Sequence, residues 1–355
     1  MNISKWLLVI SIFILIFCSC KFLTLPTTDD LNFDSKSLVL NNGTLKVSVN
    51  LNWGGAIDFI SYQGGPNLVD RGVPDGGREI QVSLYDGNAY YDSVNNNNWY
   101  GQWGWNPVQA GDRKGSVTGH VDASKNGNLI YVRCRPLEWN GSGPSDIILE
   151  QWLSLEYQKA IKIHYRTTHV GNDYHAAGWQ EFPCAYFKPT WSIPYIVIYQ
   201  GNSLWTDDDS GIKKFPQPAN MDSITSSENW IALVGEDNCG VTLYSQARDP
   251  VRFCLGVGRN GNTIPMNLIA AHTYFNPSGI YEATVFLVLG NWQEARKIIY
   301  AINGLGYYPN YYPNDTLTNG GQKPTNNNSD FLNPSLPVPK RDDIDKKTFK
   351  KTQRK

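Results

Sequence analysis

Three ionisable side chains, His175, Glu181 and Glu228, stand beside predicted strands and are of the types that transfer protons. A histidine and a glutamate at the mouth of a sheet can serve as acid and base when their surroundings separate their pKa values. Glycoside hydrolysis usually needs two carboxylates that flank the bond, and Glu181 with Glu228, or Asp112 with either, provides such a pair. The sequence therefore predicts proton-transfer chemistry, with His175, Glu181 and Glu228 as catalytic residues.

A tryptophan-rich stretch, residues 99–115, is the densest run of aromatic and amide side chains in the chain. Glycine and proline interrupt it, so it is not a plain strand. The C–H faces of sugars stack on indole rings, and sugar hydroxyls pair with amides and carboxylates. We expect five of its side chains to bind a saccharide: Trp103, Trp105, Asn106, Gln109 and Asp112. The alternative is that these tryptophans plug one end of the fold.

Three further side chains are predicted to bind substrate. Arg78 lies at the start of a strand-like segment. Its guanidinium can make two parallel hydrogen bonds to a carboxylate, either that of a uronic acid or that of a neighbouring side chain. Gln81 lies on the same segment, and Trp230 follows Glu228 at the start of another. Together with the tryptophan-rich stretch, they define the expected sugar-binding surface.

No sequence motif for a metal or cofactor is present. Residues 206–211 resemble the start of a calcium loop, but Pro218 occupies the position at which an EF-hand has its bidentate glutamate, so only a looser calcium site stays open. The chain has no CxxC, P-loop, GxSxG or HExxH motif. We therefore predict no metal ligands and no cofactor, and structural roles for His120 and His272 within strand-like stretches.

The elements that must position these residues are mostly β-strands. Hydrophobic residues make up 41% of the chain, enough for a large core, and most of the body alternates apolar and polar residues with period two, as in residues 160–170. One helix is predicted after Asn291, a capping residue, with an apolar stripe that ends before Gly304. The fold class predicted is all-β: a large two-sheet antiparallel β-sandwich with a short C-terminal helix.

The two ends of the chain differ in composition from the body. Residues 1–20 carry one lysine before an apolar run and read as a signal peptide, although Cys20 could instead be a lipidated cysteine that attaches the protein to a membrane. Residues 21–36 form a polar linker, residues 37–304 form the β-sandwich domain, and residues 305–355 form an Asn/Pro-rich and then basic tail that we expect to be disordered.

A secreted chain can carry glycans and disulfides. N-glycosylation sequons occur at four positions: Asn42, Asn140, Asn314 and Asn327. The predicted body has four cysteines, for which we favour the pairings Cys239–Cys254 and Cys134–Cys184, with four buried thiols as the alternative.

Several motifs carry a resemblance to a known superfamily. They are residues 54–64, GRE-I-Q at 77–81, W-G-W-N-P-x-Q-x-G-D at 103–112, Q-E-x-P at 180–183 and E-x-W-x-A-L-V at 228–234. These segments resemble the galactose-mutarotase-like β-sandwich proteins, a carbohydrate-active superfamily, and a largely uncharacterised secreted group within it. The resemblance implies a sandwich with a sugar-binding concave sheet, and a histidine acid with a glutamate base, for which His175 and Glu181 are candidates by residue type.

These observations together predict a secreted or extracellular carbohydrate-active protein. A net charge of -1 argues against nucleic acid as a partner, and a poly- or oligosaccharide is the expected one. Glycoside hydrolysis or polysaccharide lyase chemistry is the leading activity. The alternative is a non-catalytic glycan-binding or cell-surface adhesion protein, for which the aromatic surface would suffice.

Overall fold

The computed structural model describes residues 36–71, 78–87, 105–218, 222–247, 251–256 and 267–304. All of them belong to one compact unit, Met1–Tyr308. Several predictions lie outside the described residues: the signal peptide at 1–20, nearly all of the linker at 21–36, the tail at 305–355, Trp103, Asn314 and Asn327.

The described residues form nineteen β-strands and one α-helix, α1 (Trp292–Ile302), with a short 3-10 turn at Leu51–Trp53. The strands in chain order are β1 Ser37–Asn41, β2 Leu45–Asn50, β3 Ala56–Tyr62, β4 Ile80–Ser83, β5 Pro107–Val108, β6 His120–Asn126, β7 Leu129–Cys134, β8 Leu137–Glu138, β9 Ile147–Glu156, β10 Ala160–His169, β11 Gly178–Phe187, β12 Tyr195–Tyr199, β13 Ile212–Pro216, β14 Asp222–Ile224, β15 Trp230–Val234, β16 Cys239–Ser245, β17 Val251–Gly256, β18 Asn267–Phe275 and β19 Ile280–Asn291.

Two antiparallel sheets contain all of these strands. The first sheet has the order β1-β2-β3-β4-β11-β18-β17-β14, with β5 and β8 attached beside β4. The second sheet has the order β13-β12-β15-β16-β19-β10-β9-β7-β6. The predicted all-β sandwich is therefore confirmed, and a turn that contains Glu236 and Asn238 joins β15 to β16.

The core lies between the inner faces of the two sheets. Alternation in β10 sends Ile161, Ile163 and Tyr165 inward, and β11 contributes Phe182 and Phe187 from the opposite sheet. All five side chains are buried. Burial of a side chain of this size stabilises a fold by about 1.5–3 kcal/mol, so the two sheets are held chiefly by this layer.

The C-terminal helix packs on the outer face of the second sheet. The Asn291 side chain caps it by accepting a hydrogen bond from the Gln293 backbone N–H, as the sequence predicts. Its apolar stripe, which includes Ile298 and Ile299, packs against Trp230 and other side chains of the second sheet. The helix therefore gives that sheet a second apolar layer.

Both predicted disulfide pairings are wrong. Cys134, Cys184 and Cys254 are thiols rather than disulfide partners. Cys134 lies on β7 of the second sheet and Cys184 on β11 of the first, while Cys239 and Cys254 are likewise on different sheets. Stacked sheets lie about 10 Å apart, and a disulfide needs about 4.4–6.8 Å between its Cα atoms.

Two of the predicted glycosylation positions lie within the described residues. Asn42 is exposed, and its side chain donates to the Gln158 carbonyl oxygen at 3.1 Å. Asn140 is half-buried in the turn after β8. Glycosylation of these residues stays a prediction. In the part of the chain that the structure describes, no helix has the length and hydropathy needed to cross a membrane.

Candidate functional site

The outward side of the first sheet carries a group of polar and aromatic side chains, here called the polar face. It consists of Trp179, Glu181, Tyr186, Arg252, His272 and Tyr274. Strand alternation explains their direction, because the residues between them, such as Phe253 on β17 and Ala271 on β18, point into the core. This outward face therefore brings ionisable and aromatic side chains together on one side of the first sheet.

Glu181, His272 and Arg252 form a row across three strands. The register of β11 and β18 sets Glu181 opposite His272, and that of β18 and β17 sets His272 opposite Arg252. Directly opposite residues bring their Cβ atoms within about 4.5–5.5 Å. The fold therefore places an imidazole between a carboxylate and a guanidinium.

Glu181 and His272 lie next to each other on the polar face. Glu181 Oε1 lies 3.6 Å from His272 Nε2, and the two side chains are 12% and 13% exposed. Neither ring nitrogen of His272 has a hydrogen-bond partner among the described residues. A separation of 3.6 Å is too long for a hydrogen bond, and both ring nitrogens of His272 are buried, so the two groups form a close pair that is not hydrogen-bonded.

The surroundings of Glu181 keep two neighbouring phenols neutral. Burial, followed by the charge of Glu181, raises the pKa of Tyr85 well above its ordinary value. Burial, followed by the charges of Cys184 and Glu181, does the same for the pKa of Tyr186, against the smaller opposing effect of Arg78. A neutral phenol has an O–H that can donate a hydrogen bond.

An aromatic platform borders the row. The Arg252 guanidinium lies 4.2 Å above the Trp179 ring, and Trp179 meets Tyr274 edge-on at 5.4 Å. Tyr274 is 43% exposed, which leaves its ring accessible for contact. Within the described part of the chain, Arg252 Nε has no hydrogen-bond partner. The guanidinium can therefore bind an anionic group while the rings stack on a sugar.

Arg78 contacts a neighbouring carboxylate. Its guanidinium pairs with Asp70 at 3.2 Å, and both side chains are largely buried. Gln81 is also buried, and its side-chain oxygen accepts a hydrogen bond from the Ala110 backbone N–H. Of the two partners that the sequence left open for Arg78, the structure shows the internal one.

The amides of the tryptophan-rich stretch are used inside the fold. Asn106 donates to Ser83 and to the Leu84 carbonyl oxygen, and Gln109 donates to the Gly54 carbonyl oxygen and to Gln151. Both are buried. Buried amides of this kind are fully occupied in satisfying other buried polar groups, so they are not available to a saccharide in this structure.

Asp112 is buried as well. Its carboxylate accepts hydrogen bonds from the backbone N–H groups of Lys114 and Ser116. It therefore holds the turn after β5 in place and does not meet Glu181 or Glu228.

His175 and Trp105 belong to a different cluster from Glu181. The two rings stack with centroids 3.8 Å apart, and both side chains reach Asp146. His175 precedes β11, whereas Glu181 lies within that strand and faces His272. The structure therefore does not bring together the histidine and the glutamate that the sequence paired.

Glu228 lies beneath helix α1, apart from the polar face. It is fully buried and accepts hydrogen bonds from Arg296, from the Trp230 indole and from the Tyr300 hydroxyl. Trp230 is also fully buried, beside the helix. These contacts connect the helix to the second sheet, which accounts for the burial of both residues.

The pKa of Glu228 should make stability depend on pH. Burial raises this pKa, but hydrogen bonds from Arg296, Trp230 and Tyr300 outweigh burial and hold it below the ordinary value of 4.5. A carboxyl with a depressed folded-state pKa adds stability above its unfolded pKa and loses it as the pH falls through the folded value. We expect the unfolding free energy to decline below about pH 4.5, with a shallower decline in Glu228→Gln. Urea unfolding at pH 3 to 7 measures both, and parallel curves would contradict the assignment.

Glu181 is the one member of the polar face that the sequence predicted as a site residue, and His272 and Arg252 are among those it missed. Their only local signal is alternation within strand-like segments, which places them opposite the core residues. The pairing of β11 with β18 and of β18 with β17 is what gives them neighbours of opposite charge.

The chain is similar in structure to several solved proteins. One is a galactose mutarotase related enzyme from Lactobacillus acidophilus: 10% identity, 71% of this chain and 97% of that chain covered, TM-score 0.46. A second is a 4-alpha-glucanotransferase from Thermococcus litoralis, with 10% identity, 75% and 39% covered, and a TM-score of 0.44. A third is the heparan sulfate lyase HepC from Pedobacter heparinus, with 8% identity, 76% and 37% covered, and a TM-score of 0.40.

The searches by sequence found no counterpart. No family model matches the chain, and no curated protein matches it.

Proposed function

We propose that the chain is a carbohydrate-active enzyme that binds an acidic glycan on the polar face and cleaves it by a lyase reaction. The observation that carries the proposal is the pair Glu181–His272, with 3.6 Å between carboxylate oxygen and imidazole nitrogen, beside Arg252 in the same row. An acid–base pair next to an arginine is what proton abstraction beside a carboxylate group requires.

Each part of the face has a role in such a reaction. Arg252 binds the carboxylate of a uronic acid and withdraws charge from it, which acidifies the neighbouring C–H bond. The Glu181–His272 pair takes that proton. The bond to the glycosidic oxygen then breaks as a carbon–carbon double bond forms, and the neutral phenol of Tyr186 donates a proton to the leaving oxygen.

Lyase chemistry is favoured over hydrolysis by the residue types that meet. Hydrolysis usually uses two carboxylates on either side of the bond. Here Glu181 faces an imidazole, and Glu228 lies under the helix. One carboxylate with one imidazole supports transfer of a proton to and from carbon and oxygen.

Non-catalytic glycan binding is the second candidate function. The exposed ring of Tyr274 beside Trp179 would suffice to hold a sugar without any reaction. In both candidates the expected partner is an extracellular poly- or oligosaccharide, because residues 1–20 have the pattern of a signal peptide.

A polysaccharide panel separates the two candidates. The purified protein is incubated with uronic acid polymers and with neutral glucans and galactans, and the products are followed by ultraviolet absorbance of the unsaturated sugar and by reducing ends. New absorbance with uronic acid polymers alone is the expected result. Reducing ends without absorbance would indicate hydrolysis, and binding without products would indicate the non-catalytic function.

Truncation of the aromatic platform should weaken glycan binding. We expect Trp179→Ala to raise the Kd for a bound oligosaccharide about tenfold, or about 1.4 kcal/mol, because the ring supplies stacking area and orients Arg252. Calorimetric titration measures the change. Tyr174→Ala, at a ring that is 69% exposed and outside the polar face, is the matched control and should bind like the wild type. An unchanged Kd in Trp179→Ala would remove the platform from the binding site.

A further inference from the structure

A second cluster of ionisable side chains lies at one end of the sandwich, outside the polar face. Asp146 directly precedes β9, His169 ends β10, and His175 lies in the connection that leads to β11. Strands β9 and β10 are adjacent, and His169 pairs in register with Ile147. The connection to β11 adds His175, which lies just before the other sheet, so three side chains that can bind a metal converge at one point.

The three side chains have the separations of a metal site. The Nε2 atoms of His169 and His175 lie 2.8 and 3.2 Å from the same oxygen of Asp146, and all three atoms lie within 4.8 Å of one another. In a tetrahedral zinc site with bonds of about 2.0–2.1 Å, neighbouring ligand atoms are about 3.3 Å apart. The observed distances therefore need only small side-chain rotations to enclose an ion.

The two hydrogen-bond acceptors that face His175 also favour a metal ion at this residue. Its Nε2 faces Asp146 at 3.2 Å and its Nδ1 faces Asp86 at 3.3 Å. A neutral imidazole has one N–H, so it can donate to only one of these carboxylates. With a metal on Nε2, Nδ1–H donates to Asp86, which is the usual second carboxylate of a metal-bound histidine.

The remaining contacts hold the ligands in place. The Trp105 indole donates to the other oxygen of Asp146 at 2.8 Å and stacks on His175 with an angle of 17° between the rings. The histidine side chains are 6% and 8% exposed and Asp146 is 22% exposed, so the site is shielded but reachable. Two carboxylates, Asp146 and Asp86, supply negative charge that a divalent ion neutralises.

We propose that Asp146, His169 and His175 bind one divalent transition-metal ion, of which Zn²⁺ is the expected example, with the fourth position open to water or another ligand. Two imidazoles and one carboxylate bind such ions in preference to Ca²⁺ or Mg²⁺, because the latter two prefer oxygen ligands. The ion would link the start of β9 and the end of β10 to the segment that enters the opposite sheet. The spacing of these residues in the sequence matches no metal motif, so the sequence predicts no metal ligands.

Titration of the full chain with Co²⁺ and Zn²⁺ after chelator treatment tests the site. We expect one ion per chain, a visible Co²⁺ spectrum with nitrogen and oxygen ligands, and a rise in melting temperature with Zn²⁺. His169→Gln should abolish this spectrum, and Asp86→Asn should weaken Zn²⁺ binding about 10–100-fold. His164→Gln is the matched control, because His164 lies on the same strand and contacts Thr284 instead.

Three results would overturn the proposal. They are the absence of stoichiometric binding to the wild-type chain, a Co²⁺ spectrum with thiolate bands, and binding that His169→Gln leaves unchanged. The wild-type titration decides the question even if His169→Gln fails to fold. None of these results depends on glycan cleavage, so the test is independent of the proposed function.

Discussion

Glu181→Gln is expected to reduce turnover of a uronic acid polymer about 10²–10⁴-fold while leaving its Kd within about threefold of the wild type. The substitution keeps the shape of the side chain and removes the carboxylate that faces His272 Nε2. Binding depends on Arg252 and the aromatic platform, which the substitution does not touch. Initial rates and calorimetric titration on the same preparation measure the two effects.

Two controls separate chemistry from folding in that experiment. Glu236→Gln makes the same change at an exposed carboxylate in the β15–β16 turn and should retain wild-type turnover. The double variant Glu181→Gln with His272→Gln should be no slower than the slower single variant, because residues that act as a unit are not additive. Wild-type turnover in Glu181→Gln would exclude the pair from the mechanism.

The strands and the helix could be predicted because their signals are local. Residues 160–170 alternate in the sequence and form β10, and the cap at Asn291 marks the start of α1 within one residue. The alternation of apolar and polar residues and the capping of a helix depend only on neighbours along the chain, so both can be recognised without knowledge of the fold.

The candidate site could be predicted only in part because it depends on strand register. Glu181 was a candidate from its type, but its partner His272 comes from β18, far along the chain, through the β11–β18 pairing. A bulge between Glu181 and Cys184 shifts that register, so both can lie on the outward face although they are three positions apart. Nothing in a single sequence states where such a bulge falls.

Burial of polar side chains was the other source of error. Asn106 and Gln109 lie in a stretch whose composition is typical of a sugar-binding loop. Their amides instead donate hydrogen bonds to backbone carbonyl groups inside the fold. The disulfide prediction failed for a related reason: β16 and β17 are consecutive in the chain but belong to different sheets. In both cases the residue type indicated what the side chain can do, but the sequence did not predict which side chains lie next to it in the fold.

Arg296→Met is expected to cost more stability than any other substitution considered for this chain. The Arg296 side chain is 2% exposed and donates to both carboxylate oxygens of Glu228, which is fully buried. Removing the guanidinium leaves a buried charge without its partner, and we expect a loss of about 3–5 kcal/mol in the free energy of unfolding. Urea unfolding followed by tryptophan fluorescence measures it.

The double variant Glu228→Gln with Arg296→Met decides what that loss means. The double variant has no unpaired buried carboxylate, so it should be more stable than Arg296→Met alone. It also lacks the Glu228–Arg296 ion pair between helix α1 and the second sheet. Glu294→Gln, at an exposed ion pair on the same helix, should cost less than about 1 kcal/mol. If Arg296→Met and the double variant were equally unstable, the loss would come from the contacts of the guanidinium with the Tyr199 and Tyr300 rings, and the ion pair would not be what holds the helix on the second sheet.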